Sequence, residues 1–94
     1  MNRAELLDKL RELKPWLADR GIGNPRLYGS FARDEAGPDS DVDLLVDLTK
    51  PLGLRFFTVE RELGERLGRQ VELATERSMH RLVRERALPE AIIV

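Results

Sequence analysis

The chain has 94 residues, of which 41% are hydrophobic and 35% charged, with 16 Lys+Arg against 17 Asp+Glu and a net charge of −1. That size fits one domain with one small core, and the balanced charge argues against a general nucleic-acid binder, which needs a basic excess. The absence of cysteine and the single His80 exclude disulfide scaffolds, thiol nucleophiles and His-rich metal centres.

In chain order, residues 2–19 read as a helix. Leu6, Leu10, Leu13 and Leu17 recur at helical spacing, Asn2 can cap the start, and Glu5 stands where a capping box needs it. Pro15 should kink this helix or begin a separate turn, and Gly21 should stop it. Residues 21–25 are rich in breakers and read as a loop. Arg26-Leu27-Tyr28 reads as a short strand running into Gly29-Ser30, with a short helix over 31–35 ended by Gly37-Pro38. Residues 41–48 form the clearest strand, with Val42, Leu44 and Val46 alternating onto one face. A turn at 50–53 leads to a helix over 54–67, whose stripe is Phe56, Val59, Leu63 and Leu67, interrupted in propensity by Gly64. Residues 70–75 read as a strand, and Ser78 can cap a helix over 79–88 that Pro89 ends. Residues 91–94 are a short apolar tail suited to an edge strand. The expected class is α/β (α+β): a small mixed sheet of three to four strands flanked by helices, in one domain spanning 1–94.

The chemistry gathers in three places. Asp41 and Asp43 lie two apart on a strand, so both carboxylates share the face opposite Val42 and Leu44. Adjacent carboxylates repel unless a cation lies between them, and oxygen donors favour Mg²⁺ or Mn²⁺ over zinc. Gly29-Ser30 sits at the end of a strand, where glycine permits close backbone approach and free N–H groups favour phosphate, while Arg33 adds a planar cation. Glu72, between Val71 and Leu73, should point to the face opposite theirs and can meet Asp41 and Asp43 if the strands are neighbours. Each feature has a plain reading when alone: a solvated acidic face, a turn, a surface strand residue. Together they match the needs of phosphoryl or nucleotidyl transfer.

Gly29-Ser30, Ala32-Arg33 and Ser40-Asp41-x-Asp43-Leu44 resemble the signature of the DNA polymerase beta-like nucleotidyltransferases, and the short length with Val71-Glu72-Leu73 resembles their smallest members, the minimal nucleotidyltransferases. The resemblance spans nearly the whole chain. It implies transfer of a nucleoside monophosphate from a triphosphate, with release of pyrophosphate. It further implies that Gly29, Ser30 and Arg33 hold the triphosphate of ATP, and that Asp41, Asp43 and Glu72 bind Mg²⁺ or Mn²⁺ and form the catalytic set. Many such proteins are antitoxins that transfer AMP to a tyrosine of a helical HEPN-type toxin, so a HEPN partner is the implied acceptor. Two positions depart from the family pattern: Glu72 stands where Asp is usual, and Asp34 where Gly often follows the arginine. Asp34 is expected to face solvent.

Arg77, Arg81 and Arg84 are spaced to share a face of the last helix, either as solvated charges or as a docking stripe. His80 is expected as a surface helix residue, Trp16, Phe56 and Phe57 as core or interface residues, and Asp39 and Asp47 as surface acids. No apolar run approaches a membrane span and residues 1–14 lack a signal-peptide core, so a cytoplasmic protein without membrane contact is expected, alone or in a homo- or hetero-oligomer. The competing reading is a catalytically weak or inactive module that neutralises a partner by contact alone. A weaker third is a transferase acting on a small molecule or an RNA end.

Overall fold

Asn2 opens the first helix with a complete capping box. Its side chain accepts from the Glu5 N–H at 2.8 Å, and Glu5 accepts from the Asn2 N–H at 3.3 Å. The computed structural model, which describes residues 1–94, places helix α1 at Arg3–Asp19, strand β1 at Ile22–Tyr28, β2 at Val42–Leu48, helix α2 at Arg55–Leu67, β3 at Val71–Ala74, helix α3 at Arg81–Glu90 and β4 at Ile92–Ile93. The sheet order is β3-β2-β1-β4, with β2 and β3 parallel and the other pairs antiparallel. This is the expected mixed sheet of four strands flanked by helices. No helix is long and apolar enough to cross a membrane.

Period-2 alternation sorts the sheet into two faces. Val42, Leu44, Val46, Val71, Leu73, Leu27 and Ile22 join Leu6, Leu10 and Leu17 of α1 and Val59, Leu63 and Leu67 of α2 in one buried cluster. Leu45 and Ala87 are buried outside that cluster, on the side where α3 approaches β1.

Several local expectations need correction. Pro15 neither breaks α1 nor begins a separate element; it lies exposed within one continuous helix. The loop expected over 21–25 is largely strand. β1 starts at Ile22 and tolerates Pro25 because the register shifts between Gly23 and Arg26, with Asn24 at φ 47°. A bulge of this kind accommodates a residue that cannot donate to the ladder, and the Pro25 carbonyl still accepts from Val94 N–H at 3.1 Å. The helix expected over 31–35 is only a turn, closed by Asp34 at φ 59°. The last helix begins at Arg81, not Met79. His80 caps it through Nδ1, which accepts from Leu82 N–H at 3.2 Å, while Ser78 closes a separate turn with Thr75. Pro89 does not end α3, which runs to Glu90. Arg77 therefore lies outside the helix, and only Arg81 and Arg84 of the expected stripe are on it.

Trp16 is half-buried between the guanidinium groups of Arg20 and Arg66, 4.2 and 4.5 Å from its ring centroid. Phe56 packs against the core, whereas Phe57 is 62% exposed and belongs to no core. Gly64 interrupts helix propensity for a reason of space: a Cβ there would meet the Arg69 carbonyl at 2.9 Å, where the chain folds back toward β3.

Candidate functional site

The centre of the site is a row of three residues across three strands. Tyr28 on β1 is the register partner of Asp43 on β2, and Asp43 is the partner of Glu72 on β3. Residues in register on adjacent strands project to the same side, so all three share the face opposite the apolar cluster. Asp41 lies one residue before β2, exposed, two positions along the chain from Asp43.

Gly29 makes the row possible. It follows Tyr28 with φ 77°, and a Cβ there would run into the Asp43 carboxylate. Both the backbone twist and the close approach demand glycine. The chain then closes a single turn: Arg33 N–H donates to Gly29 O at 3.1 Å, Asp34 N–H to Phe31 O at 3.1 Å and Glu35 N–H to Ser30 O at 2.8 Å. Phe31 and Ala32 anchor this turn in the core, and Arg3 Nη1 donates to Ala32 O at 2.9 Å. The left-handed Asp34 explains why glycine suits that position. Asp is among the few residues that tolerate this conformation, and its side chain faces solvent as expected.

Asp41 is steadied from behind. Ser40 Oγ accepts from Gly37 N–H at 2.8 Å, and Arg69 Nη1 donates to the Pro38 and Ser40 carbonyls at 2.9 and 3.3 Å. The edge strand β3 is held by Glu60, which accepts from Leu73 N–H at 2.9 Å.

The electrostatics are unbalanced. None of Asp41, Asp43 and Glu72 takes part in an ion pair. Burial, then the neighbouring charges of Glu72 and Asp41, push the Asp43 carboxyl up to about 6; Arg33 opposes this, and hydrogen bonding to Glu72 adds a little to it. Tyr28 is pushed up to about 12, first by burial and then by Asp43 and Glu72. It therefore remains a neutral phenol at any ordinary pH. The oxygen donors, unpaired and mutually repelling, suit a hard divalent cation in chemistry. The three side chains are not, however, gathered into a ready cage of metal ligands.

Arg33 is less free than its sequence position implies. Nε donates to Glu35 at 3.1 Å, and Nη1 donates to Glu90 Oε1 and Oε2 at 3.1 and 3.2 Å. Those hydrogen bonds raise its pKa further. Glu90 also accepts from the Gly29 N–H at 3.1 Å. Glu90 and Tyr28 are the two members of this neighbourhood that motif reading does not single out. Tyr28 could be found from its place directly before Gly29, one pleat from Asp43. Nothing local marks Glu90. Asp47, by contrast, is tied down away from the site, bonded to Arg26 at 2.8 Å and to Asn24 at 3.1 Å.

The sequence profile of the nucleotidyltransferase domain matches residues 3–94. A Thermococcus cleftensis protein named protein adenylyltransferase MntA is 36% identical over 85 residues, covering 89% of this chain and 83% of that protein. A Methanocaldococcus jannaschii protein named for the same activity is 35% identical over 85 residues, covering 89% and 91%. Among solved structures, one described as a minimal nucleotidyltransferase superposes with a TM-score of 0.84 at 33% identity, covering 100% of this chain and 97% of that one. A toxin–antitoxin structure with AMP-PNP shares the fold, with a TM-score of 0.69 at 19% identity over 99% of this chain and 72% of that one. The chain belongs to the nucleotidyltransferase domain family, among its minimal, protein adenylyltransferase-like members, and is a nucleotidyltransferase enzyme.

Proposed function

We propose that this protein transfers AMP from ATP to the hydroxyl of a tyrosine on a helical HEPN-type toxin, as the antitoxin of such a pair. The carrying observation is the in-register pair Asp43 and Glu72 beside the Gly29 backbone. Residues 1–94 act in this reading as one minimal nucleotidyltransferase domain. Asp41, Asp43 and Glu72 are the residues that would hold Mg²⁺ or Mn²⁺, and the cation, when bound, supplies charge neutralisation at the α-phosphate and its leaving oxygen. The Gly29 and Ser30 backbone and Arg33 receive the β- and γ-phosphates. The acceptor oxygen bonds to the α-phosphorus as the α–β bridging bond breaks, pyrophosphate leaves, and the hydroxyl proton passes to the Asp43–Glu72 pair. Relatives named as protein adenylyltransferases support a protein as the acceptor.

A second reading, neutralisation of the partner by contact alone, is favoured by one observation: the carboxylates do not form a ready cage, and Arg33 is already engaged by Glu35 and Glu90. Incubation of a co-purified partner with α-³²P-ATP and Mg²⁺ separates the two. The proposal expects label on the partner and none with Asp43→Asn. Tight partner binding with no label and no calorimetric ATP signal would establish the contact-only reading instead.

A further inference from the structure

The phosphate-binding loop already holds an anion. Glu90 Oε1 accepts from Gly29 N–H at 3.1 Å, and both Glu90 oxygens accept from Arg33 Nη1 at 3.1 and 3.2 Å. A carboxylate held by a backbone N–H and a guanidinium receives the same recognition as two phosphate oxygens. The contact is tertiary, since Glu90 lies 61 positions from Gly29 and 57 from Arg33. A cleft of about 190 Å³ opens beside it, lined by Tyr28, Gly29, Arg33, Val83, Arg86 and Glu90 among others.

The end of α3 does not depend on this contact for its place. Ala87 is buried, Ile92 and Ile93 pair with Leu27 and Arg26 on β1, and Val94 N–H bonds Pro25 O. The Glu90 side chain can therefore leave the loop by a change of rotamer while the backbone stays anchored on both sides. Arg33 is meanwhile engaged twice, by Glu35 and by Glu90, and a triphosphate would meet the Glu90 charge directly.

Resting on the reading that this loop takes the triphosphate, we infer that Glu90 is an internal competitor for it: the carboxylate occupies the Gly29 and Arg33 donors until a polyphosphate displaces it. Glu90 thus sets the affinity of the site and screens out weakly charged ligands. A carboxylate that merely ties α3 to the loop makes the opposite prediction, weaker nucleotide binding when it is changed.

The test is calorimetry of ATP with Mg²⁺ on the full chain, wild type against Glu90→Gln. Glutamine keeps the length and an acceptor for Gly29 N–H but removes the competing charge. Losing one charge-assisted contact should tighten the Kd by about tenfold. Binding by wild type that is equal to or tighter than that of the variant overturns the inference and leaves the nucleotide site standing. Binding by neither protein overturns both. If Glu90→Gln does not fold, tripolyphosphate with Mg²⁺ is titrated into wild type carrying ¹³C and ¹⁵N. The Glu90 carboxyl carbon and the Gly29 amide should shift together. A shift at Ser30 without one at Glu90 overturns the inference alone, and no shift at any of the three overturns the site as well.

Discussion

The two faces of the sheet are made by the same strands and obey opposite rules. On β2, Val42, Leu44 and Val46 are sealed against α1 and α2, while Asp43 between them faces Tyr28 and Glu72. The helix-covered face buries apolar groups and gains stability from it. The other sets like charges side by side without a partner cation from the protein. Folding is driven by the first, and the second draws on its surplus, as functional sites commonly do.

The largest expected effect tests the covered face. Leu44→Ala removes a fully buried side chain from the centre of the sheet and should cost about 3 kcal/mol in urea unfolding. A loss under about 1 kcal/mol would mean that the core lies elsewhere. Gly29→Ala joins the faces: it forces an alanine to φ 77° against the Asp43 carboxylate. It should cost about 1–2 kcal/mol of stability and also abolish ATP binding, whereas a purely structural turn would lose stability without losing the ligand.

Smaller effects sharpen the opposite face. The native state holds the Asp43 proton more tightly than the unfolded chain does, because its carboxyl is pushed up to about 6. Its contribution is therefore present at low pH and is lost as pH rises from the ordinary carboxylate range through about 6. Asp43→Asn should remove this slope and raise stability at pH 7 by about 1 kcal/mol; the figure is kept small because Asp43 is half-exposed. Melting temperatures between pH 4 and 8 in the absence of divalent cations provide the check. The smallest effect is at the exposed helix cap, where Asn2→Ala should cost about 0.5 kcal/mol with no change in nucleotide binding.

Much of this was legible in the sequence where periodicity is strong. The alternation through 42–46 and the flanking of Glu72 by Val71 and Leu73 gave both the strands and the orientation of their carboxylates. The stripe Val59, Leu63, Leu67 gave α2. Composition misleads where backbone details outweigh it. Pro25 reads as a breaker, yet a bulge lets it sit in a central strand. The turn after Ser30 has helical composition, but the left-handed Asp34 stops it. His80, unremarkable in sequence, takes the cap expected of Ser78. Glu90 stayed invisible because its partners Gly29 and Arg33 are remote in the chain, and only the fold brings them together.

The two faces differ in this way only if the carboxylate row is destabilising by itself and is satisfied by a cation and a nucleotide. Melting of wild type and Asp43→Asn at pH 7, each with and without saturating ATP and Mg²⁺, tests it directly. The account predicts that Asp43→Asn melts above wild type without ligand, and that ATP with Mg²⁺ raises wild type but not the variant. If Asp43→Asn melts below wild type without ligand, or gains as much from ATP and Mg²⁺, the claim is wrong.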